Sequence, residues 1–122
     1  MKKLILSILI TAGLLFATSA SAADTAPTSI IHVVTVTWKA GTTPEQIQAA
    51  LDGAKALPAQ FSGITRVWAK TVKAQGERTH VIVMEFADAD ALKNYGGSDA
   101  QKEWYKVYTT IRDRSTTFDA TN

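Results

Sequence analysis

The sequence predicts an α+β domain in which helices cover one face of a four-stranded antiparallel sheet. Two stretches carry that prediction. Ile30 to Trp38 (IIHVVTVTW) and Arg78 to Phe86 (RTHVIVMEF) are each about one strand long, rich in β-branched residues, with a histidine near the start. In the first, Ile30, His32, Val34, Val36 and Trp38 alternate with Ile31, Val33, Thr35 and Thr37, and both sets are largely apolar. A strand with one wet face alternates more cleanly. Both faces of the sheet are therefore expected to be covered, one by helices of this chain and the other by a second copy.

The remaining elements follow in order. Ala23 to Ser29 is small, polar and contains Pro27, as a flexible leader would. After the first strand, Lys39-Ala40-Gly41 turns the chain. Thr43 caps a helix, Pro44 suits its first position and Gln46 completes a capping box. Ile47, Ala50, Leu51, Ala54 and Leu57 make its apolar stripe, and Pro58 marks its end. Phe61-Ser62-Gly63 is a loop. Ile64 to Lys73 reads as a charged edge strand, with Ile64, Arg66, Trp68 and Lys70 on one face. Ala74 to Glu77 closes a hairpin into the strand where His80, Ile82, Met84 and Phe86 share a face. Asp88 caps a helix over Ala89 to Tyr95, Gly96-Gly97 breaks it, and Ser98 caps the next, which carries Trp104, Tyr105, Val107, Tyr108 and Ile111. A last strand runs from about Ser115 to Ala120. The order β-α-β-β-α-α-β is the ferredoxin-like plan, and two such sheets packed face to face would form a dimeric α/β barrel.

The first 22 residues have the layout of a secretory signal peptide: Lys2-Lys3, an apolar stretch from Leu4 to Phe16, and Ala20-Ser21-Ala22 as a small-x-small cleavage site. Cleavage there removes two of the thirteen basic residues, leaving eleven against eleven acidic ones. A neutral mature domain lacks the positive surplus that nucleic-acid binding needs, and no basic run offers a membrane face. The expected location is periplasmic or secreted, with no stable membrane anchor after cleavage. With no cysteine in the chain, disulfides, thiolate metal sites and cysteine nucleophiles are excluded.

At residue level the chain resembles a known family. HVVTVTWKAGTTPEQIQ, LPAQFSGI, RTHVIVMEFADADAL and the closing Phe118-Asp119 look like the stress-responsive α/β-barrel (Dabb) family, over about Ile30 to Asp119. The resemblance implies a dimeric ferredoxin-like barrel. It also implies a role in stress response, or in holding a small molecule, without an assigned reaction. A more distant likeness is to the plant member olivetolic acid cyclase, which closes a linear polyketide into a ring. That likeness falls on His32, His80 and Tyr95. The relative has two histidines in the segment after its tyrosine, and this chain has Ser98 and Gln101 there. A neutral amide does not take a proton at neutral pH.

Candidate catalytic residues are thus His32, His80 and Tyr95, with Trp38, Ile82, Met84, Phe86, Gln101 and Trp104 as candidates to line a ligand pocket. The competing interpretation is two hydrogen-bonded structural histidines and an aromatic core. No metal or other cofactor is expected: strand alternation turns Glu85 away from His80, and no H-x-H or H-E-x-x-H spacing occurs. The functional expectation is an exported homodimer that binds a small apolar or aromatic molecule. The alternative is a small enzyme, a cyclase, lyase or cofactor-free oxygenase, working through a His/Tyr pocket.

Overall fold

The computed structural model describes residues 26–73 and 76–121. The proposed signal peptide, the start of the leader and the hairpin residues Ala74 and Gln75 lie outside them. The elements are β1 (Ile30–Trp38), α1 (Pro44–Lys55), α2 (Leu57–Gln60), β2 (Ile64–Thr71), β3 (His80–Phe86), α3 (Ala89–Tyr95), α4 (Asp99–Ile111) and β4 (Arg112–Ala120). The strands form one antiparallel sheet in the order β2-β3-β1-β4, the ferredoxin-like arrangement. None of the described helices is long and apolar enough to cross a membrane.

The helix starts obey their local chemistry. Thr43 Oγ1 accepts from Gln46 N at 3.2 Å, and Gln46 Oε1 accepts from Thr43 N at 2.9 Å, which closes the capping box. Asp88 Oδ1 accepts from Ala91 N at 2.8 Å, and Ser98 Oγ from Gln101 N at 3.2 Å. Gly97 sits at φ +80°, a left-handed conformation that ends α3 without a Cβ clash.

Three details depart from the sequence expectation. Pro58 does not end the helical region. The chain stops at Lys55 and restarts as α2, with Pro58 in the first turn, where its missing N–H costs nothing. β4 begins at Arg112 rather than Ser115, directly after α4. Arg112 N–H still bonds Tyr108 O, while its φ −70°, ψ 126° is already extended. The charged run Arg112-Asp113-Arg114 hid this start, because an edge strand keeps such residues in water. In β2, a register shift between Ile64 and Arg66 reverses the expected faces. Ile64 pairs with Phe86 and points inward, whereas Arg66, Trp68 and Lys70 lie opposite Glu85, Val83 and Val81 on the outer face.

Between sheet and helices lies one core. The sheet contributes Ile30, Val34, Val36, Ile82, Met84 and Phe86, and α1 and α2 contribute Ala50, Leu51, Ala54 and Leu57, with Tyr95, Trp104 and Tyr108 from the later helices. Small residues on α1 let α4 come close. A Cβ on Gly53 would stand 3.1 Å from Trp104 Cδ1, and Trp104 Nε1 donates to Ala50 O at 2.9 Å.

The opposite face of the sheet carries an apolar row across all four strands. Trp68 is opposite Val83, Val83 opposite Val33, and Val33 opposite Phe118, which is 60% exposed.

The loop before β2 is tight against α3. A Cβ on Gly63 would lie 2.7 Å from both Ala91 Cβ and Phe61 Cε1. Gly63→Ala should therefore destabilise the fold by about 1–3 kcal/mol, read as a lower midpoint in urea unfolding with an unchanged slope.

Candidate functional site

The register of β1 with β4 builds a cleft under α3 and α4. Along β4, Arg112 is opposite Trp38, Ser115 opposite Val36, Thr117 opposite Val34 and Asp119 opposite His32. Arg112, Ser115 and Thr117 form one wall of a cavity of about 160 Å³. His32, Val34 and Met84 form its floor. Leu92, Tyr95 and Gly96 close one end, and Gln101, Trp104, Tyr105 and Tyr108 of α4 form the roof. Trp104 and Tyr108 stack with centroids 4.4 Å apart and planes 12° from parallel, a flat aromatic surface.

The polar groups within this cleft fall at two poles. At one, His32 Nδ1–H donates to Asp119 Oδ1 at 2.5 Å, and the His32 ring rests edge-on against Phe86. The carboxylate, acceptor only, keeps the proton on Nδ1 and leaves Nε2 as the acceptor of the neutral ring. Tyr95 stands at the same end, 3% exposed, and its hydroxyl has no hydrogen-bond partner among the described residues. At the other pole are Arg112, Ser115 and Tyr108. The Arg112 guanidinium lies over the Tyr108 ring at 5.4 Å from its centroid, and Nη1 reaches Ser115 Oγ at 3.5 Å. The Tyr108 hydroxyl, on a residue 2% exposed, also has no partner at hydrogen-bond distance among the described residues, Ser115 and Arg112 acting on it from slightly farther off. Burial pushes both phenols above their ordinary range, the nearby Tyr105 adding to Tyr95, while Ser115 and Arg112 pull Tyr108 partly back. Both hydroxyls stay protonated and act as donors. An unpaired buried hydroxyl typically costs about 1–3 kcal/mol, so two on one cavity are an expense that packing alone does not require.

Of the residues singled out from the sequence, His32, Met84, Tyr95, Gln101 and Trp104 line the cavity. Gln101 accepts from Gly97 N at 2.6 Å and donates to Tyr105 Oη at 3.2 Å, so its amide orders the roof. Ile82 and Phe86, both 0% exposed, belong to the core behind the floor. Trp38 and His80 lie elsewhere. His80 is opposite Val36, four positions along the ladder from His32, or about 13 Å at strand rise. The two histidines share a face but not a site. His80 Nδ1 accepts from Trp38 Nε1 at 2.9 Å, with Thr79 Oγ1 at 3.0 Å, a structural role.

Asp119, Tyr108, Arg112, Ser115 and Thr117 were not selected as site residues from the sequence. Asp119 was marked only as part of the closing Phe118-Asp119 of the family resemblance, and its strand parity is useless until the strand's partner and register are known. The Arg112 signal was masked because its strand was expected to begin three residues later. Among the described residues, no group of three or more His, Asp or Glu side chains converges as a metal site would require.

Burial holds the His80 imidazole below its ordinary value of 6.5. The unfolded chain therefore binds this proton more readily, and stability should fall as pH drops below about 6.5, levelling off below the folded-state value. Protonation also removes the acceptor for Trp38. His80→Gln keeps an amide oxygen for the indole, so its unfolding midpoint should lose that part of the pH dependence, measured by denaturant titration between pH 4 and 8.

The comparisons with known proteins agree with this architecture. No curated protein sequence matches the chain. Among solved structures, a dimeric ferredoxin-like protein of unknown function from Bacteroides fragilis superposes with a TM-score of 0.62 and 19% identity, covering 79% of this chain and 98% of that one. The hydroxynitrile lyase of Passiflora edulis gives 0.68 and 16%, covering 77% and 94%. SnoaB, a cofactor-independent oxygenase from Streptomyces nogalater, gives 0.64 and 14%, covering 79% and 94%. At these identities the likeness is one of fold. The family model described as the stress responsive A/B barrel domain (Dabb) matches residues 30–122, and the chain belongs to that family.

Proposed function

We propose that this protein is exported, pairs with a second copy through the outer face of its sheet, and holds a small apolar or aromatic molecule in the cleft between sheet and helices. The observation that carries the binding role is a ring-sized cavity roofed by the stacked Trp104 and Tyr108, lined by two tyrosines whose buried hydroxyls have no hydrogen-bond partner among the described residues. A ligand bearing an oxygen acceptor would satisfy them, and the stacked Trp104 and Tyr108 would face its ring. The row from Trp68 to Phe118 supports pairing, since such a row on a monomer would leave a large apolar side chain in water. Structural neighbours described as dimeric support the same assembly. Export rests on the charged, apolar and small-residue order of the first 22 residues.

Binding is tested by titrating the protein with acetophenone, a neutral aromatic ketone, and following tryptophan fluorescence. Saturable binding is expected in the parent and should be lost in Thr117→Trp, which fills the cleft from an exposed position on β4. Pairing is tested by sedimentation. The parent should sediment as a dimer, and Phe118→Asp should shift it to monomer at micromolar concentration.

A second reading, a small enzyme, is favoured by one feature, the His32–Asp119 pair at 2.5 Å beside Tyr95. The carboxylate orients the imidazole, and Nε2 takes a proton from a carbon acid. The Tyr95 hydroxyl donates to the enolate oxygen that develops. Two structural neighbours are named as a hydroxynitrile lyase and a cofactor-independent oxygenase, so the fold is one that enzymes use. In this reading, exchange of the α-protons of acetophenone for deuterium is accelerated by the protein. Asp119→Asn should slow that exchange by about 100-fold or more while leaving binding within a few-fold. Equal exchange rates with and without protein would leave the binding role alone.

A further inference from the structure

We infer that the ligand of the cleft is a ring-sized organic monoanion, its charged oxygens (carboxylate or enolate) held by Arg112 and Ser115. This rests on the binding role proposed above and names the chemistry that the cleft selects.

The first argument is the state of Arg112. Arg66 is ion-paired to Glu85 and Arg114 to Glu77 and Asp113, while Arg78, outside the cavity, is held by Thr37 Oγ1 at 3.1 Å and Thr116 Oγ1 at 2.7 Å. Arg112 is half-buried on the cavity wall and has no carboxylate partner among the described residues; its contacts are the Tyr108 ring face and Ser115 Oγ. A guanidinium is never neutral at physiological pH and presents a planar fork that matches two anionic oxygens. The second argument is the lining as a whole. It contains no aspartate or glutamate, and Asp119, behind His32, is hydrogen-bonded to that imidazole rather than turned into the cavity. What the lining offers in excess is donors: the Arg112 fork and the hydroxyls of Ser115 and Thr117, with two protonated phenols buried behind them and no fixed negative charge. A cation would be repelled, and a neutral hydrocarbon would leave every donor unmet. The third is size. A cavity of about 160 Å³ is comparable with engineered apolar cavities of roughly 150 Å³ that accept benzene. The fourth is direction. Arg112 and Ser115 lie at one pole and His32 and Tyr95 at the other, with the Trp104–Tyr108 stack between. The anionic group is thereby set at the Arg112 end, and the opposite end of the ligand faces the imidazole.

Arg112 also stands at the C-terminus of α4, where a cation complements the helix dipole. Arg112→Lys retains that effect and loses the fork, so it separates the two roles. Calorimetric titration with benzoate, the isosteric neutral benzamide, and acetophenone reads the proposal out. In the parent, benzoate should bind about 10- to 100-fold more tightly than benzamide. Arg112→Met should bring benzoate down to the benzamide level and leave benzamide unchanged, and Arg112→Lys should fall between. Equal affinities for benzoate and benzamide in the parent, a comparison that needs no variant to fold, would overturn the inference, as would an Arg112→Met protein with the parent's preference. If acetophenone binds and benzoate does not, the monoanion is wrong and the binding role stands. If none of the three binds, both fall.

Discussion

The register of β1 in the middle of the sheet is the constraint on which the rest of this structure depends. It pairs with β3 on one side and β4 on the other, and its even residues, from Ile30 to Trp38, face the helices. That parity buries Val34 and Val36, places His32 beside Asp119, and turns Val33 outward into the row that ends at Phe118. A slip of one residue would exchange these faces, exposing the core set and leaving the imidazole on the outer surface. The bulge in β2 and the register shift near Trp38 let the outer strands follow β1 without disturbing that parity.

Once the sheet is set, the helices decide how much space remains beneath them. Ala50, Gly53 and Ala54 on α1 allow Trp104 to come in close and donate to a backbone carbonyl. This anchors α4 at its middle. Around that anchor α4 lays Trp104 and Tyr108 flat over the sheet, and the gap to β4 and α3 becomes the cleft. The cleft is not the core left incomplete. A packing defect would be lined by aliphatic groups, whereas this one collects a guanidinium with no carboxylate partner and two phenols with no hydrogen-bond partner among the described residues, beside a hydrogen-bonded histidine. Sites where local rules of polar satisfaction fail are where function is expected to reside, because the stability lost there is recovered on binding.

Much of the backbone plan was legible from short-range chemistry. Thr43, Asp88 and Ser98 cap the helices that their positions announce, and β1 and α3 run between the expected residues. The misreadings occur where two rules act on the same residue. Pro58 is both a helix stop and a good first-turn residue, and the second property gave α2. Arg112 is both a helix cap and a strand start. In β2, alternation from Ile64 was continued through a bulge that moved Arg66 and Trp68 to the other face. For the site, Tyr95, Gln101 and Trp104 were found because helix and loop spacing place them locally. His80 was grouped with His32 because both are inward-facing residues near strand starts. Antiparallel pairing sends the starts of two neighbouring strands to opposite ends of the sheet, which separates them.

By itself, then, the amino-acid sequence determined the main helices and strands, the apolar face of each outside β2, and the ferredoxin-like order in which they follow. All of these depend on interactions between residues a few positions apart. The tertiary structure decided that Asp119 would meet His32 across 87 positions, that Arg112 would enter the cleft and that two tyrosine hydroxyls would be buried, the arginine with no carboxylate partner and the hydroxyls with no hydrogen-bond partner among the described residues. Those outcomes depend on the register of β4 against β1 and on the depth to which Trp104 sinks into α1. Register and depth are settled by packing summed over the whole core, which no local stretch of sequence contains.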